Sequence, residues 1–237
     1  MNRLSRAAAL TALLALPFAC AAQRAAEPLV LARSTPAVGA WDEAFAAFAD
    51  ADRATPPPAG GVLFVGSSSI RLWQDLEQQF KAQPVVLKRG FGGSRLADCV
   101  QNVGRLVIRY RPATVLVYAG DNDLAMGSTP EEVAHRFAAF VDAVHRDLPD
   151  TQIDYISIKP SPSRATLLPA IAAANAMIRA YVAAHARLAY VDVYSAMLDE
   201  HGAPRAELFQ PDQLHLNPSG YALWHKIIAP YVQVAGR

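Results

Sequence analysis

From Val62 onward, short apolar runs alternate with segments in which apolar residues recur every three or four positions. Runs at 62–65, 85–87, Thr114–Tyr118, 153–158 and 188–193 are rich in β-formers and predict strands. The helical period lies between them, over 95–108, Pro130–Asp147, 169–185 and 219–232. Pro130 follows Ser128-Thr129, and Glu131-Glu132 fall in the first turn, where proline and acidic residues suit a helix N-terminus. Five strands spaced by helices of this length predict an α/β domain, with a parallel sheet covered on both faces. The strand ends near Gly66, Gly90, Gly120, Lys159 and Asp192 then share one edge.

Upstream, Trp41, Phe45 and Phe48 mark an amphipathic helix expected on the outside of the domain. It is tied to the first strand by the stiff Pro56-Pro57-Pro58 and the hinge Gly60-Gly61. Before that helix runs a tether from Ala22, so 22–60 reads as tether plus helix and 61–237 as the main domain. Residues 1–21 read as a secretory signal peptide, with Arg3 and Arg6 ahead of a short apolar stretch and Ala19-Cys20-Ala21 at its end. Cleavage after Ala21 leaves 216 residues carrying 20 basic and 21 acidic side chains. Lipidation at Cys20, giving a membrane-anchored lipoprotein, is the alternative, although Pro17 and Phe18 suit it poorly. Without Cys20 no intramolecular disulfide can form, and Cys99 sits in an apolar helical pattern as a buried, inert thiol.

Four sequence blocks fall at or after the predicted strand ends. They are Gly66-Ser67-Ser68-Ser69, Gly90-Phe91-Gly92-Gly93-Ser94, Gly120-Asp121-Asn122-Asp123 and Asp212-Gln213-Leu214-His215. A serine between a strand and a helix N-terminus stands where open α/β sheets place chemistry, in a field that favours negative charge. Acyl transfer needs a nucleophile, a base, a group that orients the base and donors for an oxyanion. Asp212, three residues before His215, can reach Nδ1–H in a turn and leave Nε2 to take a serine proton. The Gly93 N–H, the Asn122 amide and the N–H of the serine itself are suitable oxyanion donors. Chemistry alone leaves Ser67 and Ser69 open as alternative nucleophiles.

These blocks, in this order, resemble the SGNH (GDSL-type) hydrolase family from about Val62 to Trp224. The resemblance implies a three-layer, flavodoxin-like α/β/α fold and a serine esterase that uses no metal or cofactor. It places Ser68 as nucleophile, His215 and Asp212 as its partners, and Ser68, Gly93 and Asn122 as the oxyanion hole. Ser67 departs from the family pattern, which usually has Asp there, and Trp73 matches a frequent family aromatic.

Other readings are weaker. The glycine-rich turn lacks the Gly-Lys-Ser/Thr or complete Gly-x-Gly-x-x-Gly context of a nucleotide site. Asp121 and Asp123 lack further metal ligands nearby and suit a structural turn. His135, His145, His185, His201 and His225 lie in helical or loop contexts that suit surface or packing roles. Arg71, Arg95 and the 159–164 segment stand either in the substrate pocket or solvated at its rim. The net charge of +1, without a basic stripe, argues against nucleic acid as a partner. The expected substrate is a small-molecule, glycan or lipid ester, with short acyl groups favoured because no long apolar insertion suggests a lid. Lysophospholipase or thioesterase activity, or an inactive ligand-binding module of the same fold, are the alternatives.

Overall fold

The structure is a computed structural model that describes residues 39–232. The predicted leader, Cys20 and most of the tether lie outside the described residues. From Ala40 onward the chain forms one unit around a five-stranded sheet. The strands are β1 (Val62–Gly66), β2 (Val86–Gly90), β3 (Thr114–Tyr118), β4 (Gln152–Ile156) and β5 (Leu188–Val191). They are all parallel, in the order β2-β1-β3-β4-β5. Gly66 lies beside both Gly90 and Tyr118, so β1 and its two neighbours, β2 and β3, end level with one another.

Alternation along each strand divides two apolar cores. Leu63, Val65, Val115, Val117, Ile153 and Tyr155 face one core, and Val62, Phe64, Leu116, Tyr118 and Ile156 face the other. On the first face pack α1 (Asp42–Ala54), α4 (Leu96–Gln101), α5 (Val103–Leu106), α7 (Pro130–Asp147) and α8 (Leu168–Ala183). On the second pack α2 (Ser68–Arg71), α3 (Leu76–Gln79) and α9 (Pro218–Ile228). A short α6 (Asp121–Ala125) follows β3 directly. This is the three-layer α/β/α sandwich. Thr129 caps α7 by accepting from the Glu132 N–H at 3.2 Å, while the Glu132 carboxylate accepts from the Thr129 N–H at 2.9 Å.

The differences from the sequence pattern have local causes. The helix expected over 95–108 is broken at Asn102, whose side chain donates to the Asp98 carbonyl at 2.8 Å and accepts from Arg105 Nε at 2.8 Å. Such competition with the helix backbone is what makes asparagine a poor interior residue. β2 extends through Lys88 and Arg89, which lack the apolar signature of a strand. Lys88 reaches back to the Trp73 carbonyl at 2.9 Å, and Arg89 pairs with buried Asp52. β4 and β5 stop two residues short of their apolar runs, because the Ser157 hydroxyl accepts from both Val193 and Tyr194 N–H at 3.0 Å and replaces the ladder.

Helix α1 lies on the outer layer yet contributes to the core. Phe45 is buried and Trp41 packs edge-on against Phe91, with ring centroids 5.2 Å apart. Its carboxylate Asp52 is 7% exposed and also accepts from the Tyr110 hydroxyl at 2.7 Å.

Candidate active site

The strand order reverses between β1 and β3: the chain passes from β1 out to β2, then returns to the other side of β1 to begin β3. A crevice outside the carboxyl ends of two strands is expected at such a switch point. Ser68 follows β1 there and Asn122 follows β3. They line a cleft of about 500 Å³ together with Arg71, Gly92, Gly93, Leu214 and His215. A larger cavity of about 610 Å³, at Gly60, Pro112, Pro149 and Arg187, lies at the opposite end of the sheet, away from these residues.

Ser68 is the first residue of α2, so its N–H has no carbonyl one turn behind it. The preceding Ser67 N–H donates to the Tyr118 carbonyl at 3.0 Å, which ties the serine turn to the end of β3. Ser67 is fully buried, and neither its hydroxyl nor that of buried Ser69 has a partner. Of the three serines, Ser68 alone meets the imidazole: its Oγ is 3.1 Å from His215 Nε2.

His215 Nδ1 in turn lies 2.6 Å from Asp212 Oδ2. The Asp212–His215 turn is closed by Gln213 at φ +55, in the left-handed region. Asp212 Oδ1 accepts the N–H groups of Leu214 and His215, both at 3.0 Å. The backbone and side-chain hydrogen bonds from His215, with that of Leu214, hold the Asp212 carboxyl down at about 2. It is therefore ionised throughout the neutral range and fixes the imidazole with Nε2 directed at Ser68. The loop is braced by the Gln210 N–H to the His215 carbonyl at 2.7 Å and the Ser163 N–H to the Gln213 carbonyl at 3.1 Å. The proline-rich turn after β4 thus supports the histidine loop.

Gly93 is exposed with φ +76, and a Cβ there would meet nothing within 4 Å, so the residue leaves open space beside Ser68 and His215 in the cleft. The Asn122 amide is gripped from both ends. Its Nδ2 donates to the Ser94 carbonyl at 3.0 Å, and its Oδ1 accepts from Arg164 Nη2 at 2.9 Å. Asn122 Nδ2 keeps a second hydrogen for the cleft. Arg164 also lies 3.1 Å from Asp121 Oδ2, which Lys159 approaches at 3.2 Å. Burial pushes the Asp121 carboxyl up, but Lys159 and Arg164 outweigh this and hold it below the ordinary carboxylate range. Burial pushes the Lys159 amine below its ordinary value, with Asp121 opposing.

Among the residues expected in the pocket or solvated at its rim, Lys159 does neither: it is 1% exposed and ion-paired beneath the Asn122 loop. A strand-end lysine beside Asp121 in space could not be paired with it from local spacing, since 38 residues separate them. Arg95 is buried against Asp98, with Nε 3.0 Å from Oδ2. Arg71 lines the cleft. Asp123 is a structural link, accepting from the Leu96 N–H at 3.0 Å and Arg136 at 2.8 Å. Cys99 is buried, which pushes its thiol up. Arg164, within the segment expected in the pocket or at its rim, and Trp41, expected on an outer helix, instead support the site. Arg164 holds the Asn122 amide, and Trp41 Nε1 donates to the Gly92 carbonyl at 2.9 Å, partners that sequence spacing did not reveal.

A serine, imidazole and carboxylate in line, in a cleft shared with Gly93 and the Asn122 amide, is a site equipped for acyl transfer. The profile of the GDSL-like lipase/acylhydrolase family matches residues 59–223, a segment that contains all of these groups. The chain belongs to this family. Its fold is shared with a GDSL-like lipase from Bacteroides thetaiotaomicron at TM-score 0.67 and 22% identity, covering 79% of this chain and 96% of that one. A protein from Streptococcus pneumoniae, provisionally named for platelet activating factor, superposes at TM-score 0.72 with 20% identity, covering 83% and 94% of the two chains. A carbohydrate esterase of family 3 from Talaromyces cellulolyticus matches at TM-score 0.59 and 17% identity, covering 73% and 95%. No curated protein sequence matches the chain significantly. Family membership makes this GDSL-type chain an ester hydrolase in broad class.

Proposed function

We propose that this chain is an exported serine esterase that hydrolyses short-acyl carboxylic esters. The observation that carries the reading is the unbroken line from Asp212 through His215 to Ser68, at 2.6 and 3.1 Å. Ser68 Oγ attacks the ester carbonyl as His215 Nε2 takes its proton. Asp212 holds the tautomer and offsets the imidazolium that forms. The carbonyl oxygen, now an oxyanion, is met by the Ser68 and Gly93 N–H groups and the Asn122 amide. His215 returns the proton to the leaving alcohol, and the C–O bond breaks to leave an acyl-enzyme. Water, deprotonated by His215, then attacks that acyl group and Ser68 is released with the acid product.

The preference for short acyl groups rests on the cleft itself. Its lining is Ser68, Arg71, two glycines, Asn122, Leu214 and His215, with a single large apolar side chain to receive an alkyl tail. Hydrolysis of aryl acetate by the purified protein is the expected result, falling as the acyl chain lengthens. Ser68→Ala lowers the rate by about 10³-fold or more and abolishes labelling by a fluorophosphonate. Hydrolysis at the wild-type rate by that variant would overturn the assignment.

A further inference from the structure

Helix α2 carries two cleft residues, not one. Ser68 and Arg71 are three apart on a single turn, a spacing that sets Cβ atoms about 5–6 Å apart on one face. Both line the cleft with Gly93, Asn122 and His215. The Arg71 side chain lies across the backbone of Gly92. A Cβ built at position 92 would come within 2.8 Å of Arg71 Nε and 3.3 Å of Nη2. Gly92 therefore provides the shelf on which the guanidinium rests, one residue before the Gly93 N–H. That shelf is itself fixed, because Trp41 holds the Gly92 carbonyl.

The neighbouring cations are all occupied. Arg95 is paired with Asp98, Arg136 with Asp123, and Lys159 and Arg164 with Asp121. Arg71 is exposed and has no carboxylate partner among the described residues. No acidic side chain lines the cleft, and the ionised Asp212 behind His215 is engaged by the imidazole and by the Leu214 and His215 N–H groups. Arg71 is thus the one arginine or lysine in the lining and has no carboxylate partner there. A guanidinium presents planar paired donors that match a carboxylate or phosphate.

Building on the esterase reading, we propose that Arg71 binds an anionic group of the substrate, so that the preferred ester carries a carboxylate or phosphate close to the scissile carbonyl. The anion bridges the space between the α2 turn and the Gly92 shelf. In that position it leaves Ser68 and the oxyanion donors free for the carbonyl.

The test compares kcat/KM for esters matched in size. The pairs are monophenyl succinate against phenyl pentanoate (carboxylate on the acyl side), 3-acetoxybenzoate against 3-acetoxybenzamide (carboxylate on the alcohol side) and acetylglycerol phosphate against acetylglycerol (phosphate on the alcohol side). At least one anionic ester is expected to exceed its neutral counterpart by about tenfold at low salt. Which one does so shows the side on which the charge sits and whether it is carboxylate or phosphate. Arg71→Gln brings that anionic-to-neutral ratio to about one, and Arg71→Lys keeps part of it, since an ammonium retains the charge without the fork. In the wild-type protein, raising salt erodes the anionic rate while the neutral rate holds, a measurement that needs no variant. A wild-type ratio of one or less for every anionic ester, or a ratio unchanged in Arg71→Gln, would overturn the proposal. Failure of all the esters, the neutral ones included, overturns the esterase reading instead.

Discussion

Asn122, the side-chain donor of the proposed oxyanion hole, shows how much depends on what holds such a group. An amide side chain can rotate, and only one of its two ends can serve an oxyanion. Arg164 donating to Oδ1 and the Ser94 carbonyl accepting from Nδ2 leave a single orientation. The arginine is held in turn by Asp121, whose charge Lys159 shares. Arg164→Met is expected to lower kcat by about tenfold with a smaller change in KM, less than the roughly 10²–10³-fold loss on deleting a donor outright. In a double-mutant cycle with Asn122→Ala, the Arg164 effect should largely vanish, because it acts through that amide. Additive losses would identify Arg164 as merely structural. Ser68, Gly93, Asn122, Asp212 and His215 were legible in the sequence because each sits in a short block at a strand or helix boundary. Arg164 was read only as pocket or rim; its hold on Asn122 was not legible, because that contact spans 42 residues and no local spacing encodes it.

At the scale of elements, the strands that read most clearly were those buried on both faces, such as β1 and β3, where every residue is buried. The pattern failed where polar side chains took over backbone roles. Asn102 divides a helix, and Ser157 ends the pairing of β4 with β5. β4 also carries a residue with a pH signature. Asp154 is 2% exposed and bound by Gln152 Nε2 at 2.7 Å, and burial pushes its carboxyl up to about 6. Since this lies above the unfolded value near 4, the native state binds more protons between those limits. Its contribution to stability is therefore greatest below about pH 4 and is lost as pH rises through 6. Asp154→Asn keeps the acceptor for Gln152 and removes the titration. The variant should be more stable near neutral pH by up to about 3 kcal/mol, with the difference fading toward about pH 4. Denaturant unfolding at both ends of that range checks it, and an equal difference at both would refute the assignment of the slope to Asp154.

For the whole molecule, the order of the blocks along the chain carried more information than any block alone. The parallel sheet brings to one edge segments that are 147 residues apart, as Ser68 and His215 are. That convergence is what alternating strands and helices imply, and it made the fold and the constellation readable together. The support beneath the site was less readable, because buried ion pairs depend on three-dimensional neighbours. The family segment begins at 59 and the described body at 39, so cleavage after Ala21 removes none of either. Full-length protein expressed in a Gram-negative host is accordingly expected in the periplasm or medium, as a shortened chain beginning at Ala22. An unprocessed chain in the cytoplasm would count against export, and lipid labelling abolished by Cys20→Ala would assign the lipoprotein route.

Helix α1 sets the smallest autonomous form of this enzyme. It lies upstream of the family segment, yet Asp52 is the counter-charge of Arg89 in β2, and both are 6% exposed at the side chain. A fragment that begins at 59 would lose Asp52 and Phe48 together, breaking the Arg89 pair and uncovering the face of the core on which α1 packs. It would also release the Gly92 carbonyl from Trp41. The family segment leaves out α1 at one end and stops within α9, before buried Trp224 and Ile228, at the other, so a workable truncation has to begin before Trp41 and run past Ile228.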